Sequence, residues 1–371
     1  ILSNESFIKD LNAFSFLKLR ASYGVSGNQA VAIYQTYPRL SLAGNFVQNN
    51  AAVTAYRPST IANPNLKWET KDQFDIGLEV GFFNNRLRLD MDYYNATTNN
   101  LLLDAETPTQ SGYATFVDNN GKISNKGFEI GVTTINTENT DFVWSTNLTL
   151  ASNTNKVIKL AGKGDIITNS LWNVNPVGLL REGEAIGSFY GAIYEGTWKS
   201  AEEIASVGTM QTATPGSQRY KDLNEDGTFN IKDYIILGNG DPKFYGGIGN
   251  TLRYKGWELN IFFYGSYGNK IYNINAGYYR SSDIQYNQYK EAVNRWTPSN
   301  PTSDIPTTNI ANRELVPSTR WIYDGSFLRL QTLGLNYNVP LKYGIKKYIQ
   351  NMAISITGTN LWLLSGYKHG Y

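Results

Sequence analysis

Residues 74–93 read Phe-Asp-Ile-Gly-Leu-Glu-Val-Gly-Phe-Phe-Asn-Asn-Arg-Leu-Arg-Leu-Asp-Met-Asp-Tyr. Phe74, Ile76, Leu78, Val80 and Phe82 alternate with Asp75, Gly77, Glu79 and Gly81. Past Asn84-Asn85, Leu87, Leu89, Met91 and Tyr93 alternate with Arg86, Arg88, Asp90 and Asp92. Successive side chains of a strand point to opposite faces, so each run has one apolar and one polar face. Asn tolerates positive φ, and the two runs read as a hairpin with a two-residue turn. The strict alternation of Arg86, Arg88, Asp90 and Asp92 marks a hydrated wall rather than a charged reaction centre.

Working outward, the same pattern predicts strands near Leu17–Tyr23, Phe128–Ile135, Val143–Ala151, Tyr245–Tyr254, Trp257–Tyr267, Phe327–Tyr337 and Met352–Trp362. In the Phe327 run, Leu328 and Leu330 give way to Leu333 and Leu335, a phase change that reads as a bulge. Short links (Asn84-Asn85, Thr137–Asp141, Lys255-Gly256, Asn338–Asn351) alternate with long ones at 24–73, 97–123, 152–243 and 268–326. Structureless loops beyond about 15 residues are uncommon in compact soluble domains. Outer-membrane barrels instead pair short periplasmic turns with long extracellular loops.

Placing every short link on the periplasmic side yields nine spanning strands, the last running outward. The extended piece Gly187–Trp198 would break that parity as a lone span. It is expected in an extracellular excursion or beside a partner strand. An odd, open sheet leaves edges that lipid cannot satisfy, so the chain is expected to be a fragment of a longer one.

Composition narrows the function. The 371 residues carry 33 Lys and Arg against 31 Asp and Glu, a net charge of +2, which lacks the footprint of a nucleic-acid binder. There is no Cys and one His, His369, which removes disulfide, iron–sulfur and Cys–zinc chemistry and leaves no His-based triad or HExxH site. Tyr (26), Phe (16) and Trp (8) are abundant while charged residues make up 17 %. The mean hydropathy of −0.37 suits a barrel whose strands alternate. The opening Ile1-Leu2-Ser3-Asn4 has no signal-peptide pattern, and no apolar run is long enough for a membrane helix. Gly265-Ser-Tyr-Gly268 is not a nucleophile elbow and Ala161-Gly-Lys-Gly-Asp165 lacks P-loop spacing, so the reading is of a non-enzyme with no catalytic residues. Trp172, Trp198, Trp296 and Trp321 fall in predicted loops. There they serve loop cores or interfacial girdles more often than sugar stacking.

Several stretches carry a family resemblance. Leu17-Lys-Leu-Arg-Ala-Ser-Tyr-Gly-Val-Ser-Gly-Asn-Gln29, Asn63-Pro-Asn-Leu-Lys-Trp-Glu69 and Asn125-Lys-Gly-Phe-Glu129 come first. Lys255-Gly-Trp-Glu-Leu259, Tyr264-Gly-Ser-Tyr-Gly-Asn269, Asp324-Gly-Ser-Phe-Leu-Arg-Leu330 and Gly358-Thr-Asn-Leu361 follow. In this order they resemble segments of SusC/RagA-type TonB-linked outer-membrane proteins. The resemblance implies an all-β fold, an antiparallel transmembrane β-barrel of 22 strands. This chain, residues 1–371, would supply about strands 13–21 of it. The signal peptide, TonB box, plug, earlier strands and a closing strand would lie elsewhere. It also implies import of large nutrients such as oligosaccharides or peptides, a SusD-like surface lipoprotein as lid, and energy from a TonB–ExbB–ExbD complex. A β-rich, calcium-binding surface adhesin without transport is the second reading, and extraction behaviour separates the two.

One motif stands apart from the resemblance. Asp222-Leu-Asn-Glu-Asp-Gly-Thr-Phe-Asn-Ile-Lys-Asp233 reads as an EF-hand or dockerin-like calcium loop. Asp222, Asn224 and Asp226 alternate as oxygen donors, and Gly227 permits the turn. Thr228 would offer its carbonyl, Asn230 a direct or water-bridged contact, and Asp233 the closing carboxylate. With no evident flanking helices, the expected role is structural calcium. Asp/Asn/Gly clusters also make ordinary surface turns.

Overall fold

The computed structural model describes residues 1–10, 13–29, 33–113, 115–160, 164–168, 177–207, 213–280, 287–308, 316–341 and 348–367. His369, Trp172, part of 161–165 and part of the 338–351 link lie outside them. Nine long strands dominate: β1 (Phe16–Asn28), β2 (Glu69–Phe82), β3 (Leu87–Glu106), β4 (Thr115–Glu138), β5 (Phe142–Lys159), β6 (Phe244–Tyr254), β7 (Trp257–Tyr267), β8 (Phe327–Asn338) and β9 (Ala353–Ser365). They form one sheet in chain order. The registers of β1–β2, β2–β3, β5–β6, β6–β7, β7–β8 and β8–β9 are antiparallel. Nine spanning strands are expected from the sequence, and nine lie in this sheet among the described residues.

Contacts divide the chain into two units, one of Ile1–Thr133, Asn153–Ile166 and Arg181–Ala185, the other of the remaining segments. In the first, Leu17, Val80 and Leu89 face one another across β1–β3, as do Leu19, Leu78 and Met91, then Ala21, Ile76 and Tyr93. These rows stack into a continuous apolar face, as the alternation predicts.

In the second unit, Phe142, Tyr254, Trp257 and Tyr337 form one transverse row across β5–β8. The Trp257 and Tyr337 rings lie 4.4 Å apart. At the other end of β6, Phe244 stacks on Tyr267 at 4.9 Å. Ten residue steps separate the two aromatic rows in the 11-residue β6. At about 3.4 Å per residue and a tilt of about 40° they are about 26 Å apart along the membrane normal. Outer-membrane barrels carry aromatic girdles around an apolar band of about 25 Å. Within that band Asn250 accepts from Trp144 Nε1 (3.0 Å) and Thr146 Oγ1 (2.8 Å), so its carbonyl oxygen is not left bare toward lipid.

Several link boundaries differ from the sequence reading. The 97–123 link shrinks to 107–114, because β3 runs on to Glu106 and β4 begins at Thr115. Likewise β1 extends to Asn28 and β2 begins at Glu69. The link between them holds a hairpin of Arg39–Gln48 and Ala51–Thr60. β5 reaches Lys159, into the 152–243 link. These extensions lose the alternation (Asn95, Thr97 and Asn99 continue the face of Tyr93, and Leu101, Leu102 and Leu103 follow one another), so hydropathy stops marking strand while the strand itself continues. The Asn84-Asn85 turn is longer than expected: Phe82 pairs with Leu87, and Phe83, Asn84 and Asn85 all take positive φ. The expected bulge is present at Gln331, between Phe262↔Thr332 and Phe263↔Leu330.

The piece near Gly187–Trp198 does not span. Ser188–Gly191 pairs with Ile235–Asn239 and Gly178–Leu180, while Tyr194–Thr197 pairs with Gln218–Tyr220. These links bury their own cores. Ala192, Tyr220 and Val316 form one, with Tyr194, Phe229 and Tyr234 against it. Ala276 and Trp321 form another, flanked by Tyr272, Ile274 and Tyr323.

Candidate functional site: a charged wall and an acidic loop

The polar face of β1–β3 is knitted by charge. Lys18 Nζ reaches Glu79 Oε1 at 2.9 Å, and Arg20 Nε reaches the same oxygen at 2.9 Å. Arg20 then crosses β2 to Asp92 on β3 at 3.1 Å and approaches Asp90 at 3.5 Å. Gly77, paired with both Arg20 and Asp92, makes the crossing possible. A Cβ there would sit 2.9 Å from Arg20 Cζ and collide with the Asp92 carboxylate. Any side chain at 77 would therefore break this network. Beside it lies a polar recess of about 590 Å³ whose lining includes Ser22, Lys71, Asp75, Asn125 and Glu129. Tyr94 Oη closes one edge by donating to Asn153 Oδ1 at 2.9 Å. Both charge signs are present and solvated, which suits transient polar contacts more than tight capture of one ion. Arg88, Asp90 and Asp92 are legible as a wall in the sequence; the reach of Arg20 through Gly77 is not, because register must be known first.

In the second unit the six predicted metal-loop residues fall in one compact turn. Asp222 Oδ2 accepts from Gly227 N at 2.7 Å, across the positive-φ Gly227. Asp226 Oδ1 accepts from Thr228 N (2.9 Å) and Thr228 Oγ1 (2.6 Å), which hold its carboxyl below the usual carboxylate range. Asn224 Nδ2 donates to Asp226 Oδ2 at 3.0 Å, and Asn230 Nδ2 donates to the Thr228 carbonyl at 3.1 Å. Asp233 is fully buried. Its Oδ1 accepts from Leu223 N (2.9 Å) and its Oδ2 from Asn230 N (2.8 Å), tying both ends of the loop together. The last of these belongs to a capping box on the short turn Ile231–Asp233. Asp222 Oδ1 is buried with no hydrogen-bond partner. Among the described residues no three carboxylate, imidazole or thiolate groups lie close enough to hold one metal ion. Calcium also takes amide and carbonyl oxygens, here those of Asn224 and Thr228.

Phe229 anchors the loop, stacking on Tyr220 at 4.8 Å. Nearby, Arg219 bridges Glu195 (3.2 Å) and Glu203 (2.5 Å) and covers the Trp198 ring at 4.8 Å. Trp198 and Trp321 are each 2 % exposed, so both serve loop cores and neither offers a free face to a sugar. Burial pushes the Tyr194 hydroxyl up to about 12 and pulls the Arg320 guanidinium down. Arg320 lies over the Tyr194 and Trp321 rings at 5.0 and 4.4 Å, a placement that sequence patterning does not signal.

Comparison with known proteins fits this architecture. Residues 10–239 match the family described as TonB dependent receptor-like, beta-barrel. TonB-dependent receptor P26 of Formosa agariphila is 37 % identical over 99 % of this chain and 37 % of its own length. TonB-dependent receptor SusC of Bacteroides thetaiotaomicron is 25 % identical over 99 % of this chain and 36 % of its own. The solved structure of the RagAB peptide transporter superposes with a TM-score of 0.81 at 25 % identity, covering 99 % of this chain and 39 % of that one. The chain thus spans well under half the length of the relatives it matches. Two-faced strands, aromatic rows and sequence kinship agree: the chain belongs to the TonB-dependent receptor β-barrel family, as part of a SusC/RagA-type barrel of the outer membrane.

Proposed function

We propose that this chain forms about strands 13–21 of an active-transport barrel importing large nutrients, with a SusD-like lipoprotein as lid and TonB–ExbB–ExbD as the energy source. The observation that supports this reading best is the two-faced β1–β3 sheet, apolar on one side and carrying the Lys18–Glu79–Arg20–Asp92 network on the other. A lumen wall needs a wet, charged surface where a plug and a hydrated cargo pass. An adhesin sandwich would bury the opposite, apolar face in protein, whereas here Leu19, Ile76 and Tyr93 of that face stay exposed. RagAB is a peptide importer by its description, which favours peptide over oligosaccharide cargo here. The test is uptake of labelled peptides and labelled oligosaccharides by cells expressing the full-length protein, with and without TonB. Accumulation of one cargo class that vanishes without TonB is the expected result. Surface binding unchanged by TonB loss, with no accumulation, would favour the adhesin.

We also propose that Asp222, Asn224, Asp226, Thr228, Asn230 and Asp233 hold structural calcium. The buried, unpartnered Asp222 Oδ1 supports it, because a cation supplies what that oxygen lacks. Affinity in the range of about 10⁻⁴–10⁻³ M suits an extracellular loop. Millimolar calcium should slow hydrogen exchange across 222–234 of the full-length protein, chelator should reverse it, and Asp222→Ala should abolish the response. Calcium-independent exchange in the unsubstituted protein would defeat the site.

A further inference from the structure

The apolar face of β5–β9 is not evenly filled. Leu150, Gly246, Gly265, Leu328 and Leu364 lie in one transverse row, and its second and third members are glycines. The stacked Phe244–Tyr267 pair rises on one side of that row, and Ile248 and Phe263 rise on the other. Between them runs a groove of about 610 Å³ with a predominantly apolar lining. Its floor cannot readily fill from within. A Cβ at Gly265 would lie 2.9 Å from the Phe327 carbonyl oxygen, and one at Gly246 would collide with that of Thr149. The depression follows from close backbone approach and is fixed in shape.

We propose that this groove holds one acyl chain of an outer-leaflet lipid. Three observations select that occupant. The groove lies on the apolar face of a transmembrane barrel, the side that meets lipid. It sits at the end of β6–β7 remote from the Lys255-Gly256 turn. Short turns are periplasmic in this architecture, so that end is in the outer leaflet. Water gains nothing in an apolar groove that offers few polar partners, whereas a methylene chain lying on Gly246 and Gly265 recovers dispersion contacts with both walls. The apolar face of β2–β3 carries Phe74, Ile76, Leu78 and Val80 in unbroken succession, with no such gap, and serves as the internal control.

The full-length transporter, extracted in mild detergent, is assayed for retained lipid by native mass spectrometry. It is then reconstituted in nanodiscs of phospholipid carrying a diazirine in the acyl chain. One lipid retained per molecule is expected, falling about tenfold in Leu328→Trp, which fills the groove from the position beside Gly265 in its floor row. Cross-links should concentrate on the peptides containing Gly246 and Leu328 over those of β2–β3, and the substitution should remove the excess. Leu150→Trp fills it from the position beside Gly246 in the same row and gives a second variant should the first not reach the outer membrane. Equal lipid retention by parent and variants, or cross-links spread evenly over both faces, overturns the proposal. So does a groove shielded from the probe with no lipid retained, which would mark a protein segment as the occupant.

Discussion

Trp321→Ala should loosen the long link between β7 and β8 while leaving the spanning strands intact. Trp321 is 2 % exposed and packs with Ala276, Tyr272, Ile274 and Tyr323. Its carbonyl accepts from Asn273 N at 2.9 Å, so the side chain sits where two stretches of the link are tied. Truncating a buried Trp removes about 3–5 kcal/mol through lost burial and a residual cavity. The indole also covers the Arg320 guanidinium at 4.4 Å. Arg320 Nη1 has no hydrogen-bond partner, and Nη2 donates to the Arg280 carbonyl at 2.8 Å. Removing the ring therefore strips a buried cation of part of its surroundings as well. Hydrogen exchange on the full-length protein is the measurement. Amides of 272–276 and 321–323 should exchange about a hundredfold or more faster, while β6 and β7 keep their protection. Trp321→Phe should lose much less, because Trp321 Nε1 has no partner to forfeit. Unchanged protection in Trp321→Ala would mean that the ring fills space without holding the link together.

The spanning segments were legible because lipid enforces alternation there. Where Phe74–Phe82 and Leu87–Tyr93 cross the apolar band, each second residue must be apolar, and the sequence shows it. Above the band that constraint ends. β3 continues through Asn95, Thr97 and Asn99 by pairing with β2, Asn99 Nδ2 also donating to Asp72 Oδ2, and polar residues rich in Asn and Thr read as loop. The phase slip at Leu330–Leu333 was readable for the converse reason: a bulge moves side chains between faces, and within the band that movement leaves a mark in hydropathy. The small sheets of the links were not readable. In the 152–243 and 268–326 links the strands are three to five residues long, and pairs such as Ser188↔Asn239 lie far apart in sequence. At the candidate site the acidic loop stood out because its donors are local, spaced two apart. The Arg20–Gly77–Asp92 crossing joins residues on three strands and requires register, which a single sequence does not supply.

The apolar band itself makes the strongest claim about placement, and Ile76 tests it. Ile76 lies between Ala21 and Tyr93 on the apolar face, one row below the Phe74–Asn95 pair and one row above Leu78. Its side chain is 39 % exposed, an ordinary value for a surface residue in water and a lipid contact in a barrel. An Arg here must either carry its charge into hydrocarbon or bend toward the interface. Ile76→Arg should therefore destabilise the refolded full-length protein by about 1–3 kcal/mol, between the cost of a cation at the midplane of a barrel's lipid face and that near its interface. Gln73→Arg adds the same charge three residues away on the opposite face, beside Asp75, where Gln73 Nε2 now donates at 2.8 Å. That guanidinium stays hydrated and has a carboxylate at hand, so its cost should be small. Urea titrations of both variants in the same lipid compare the two faces directly, because strand, charge and side-chain length are held constant. Equal costs at 73 and 76 would remove the distinction between the faces. A larger cost at 73 would turn the sheet inside out.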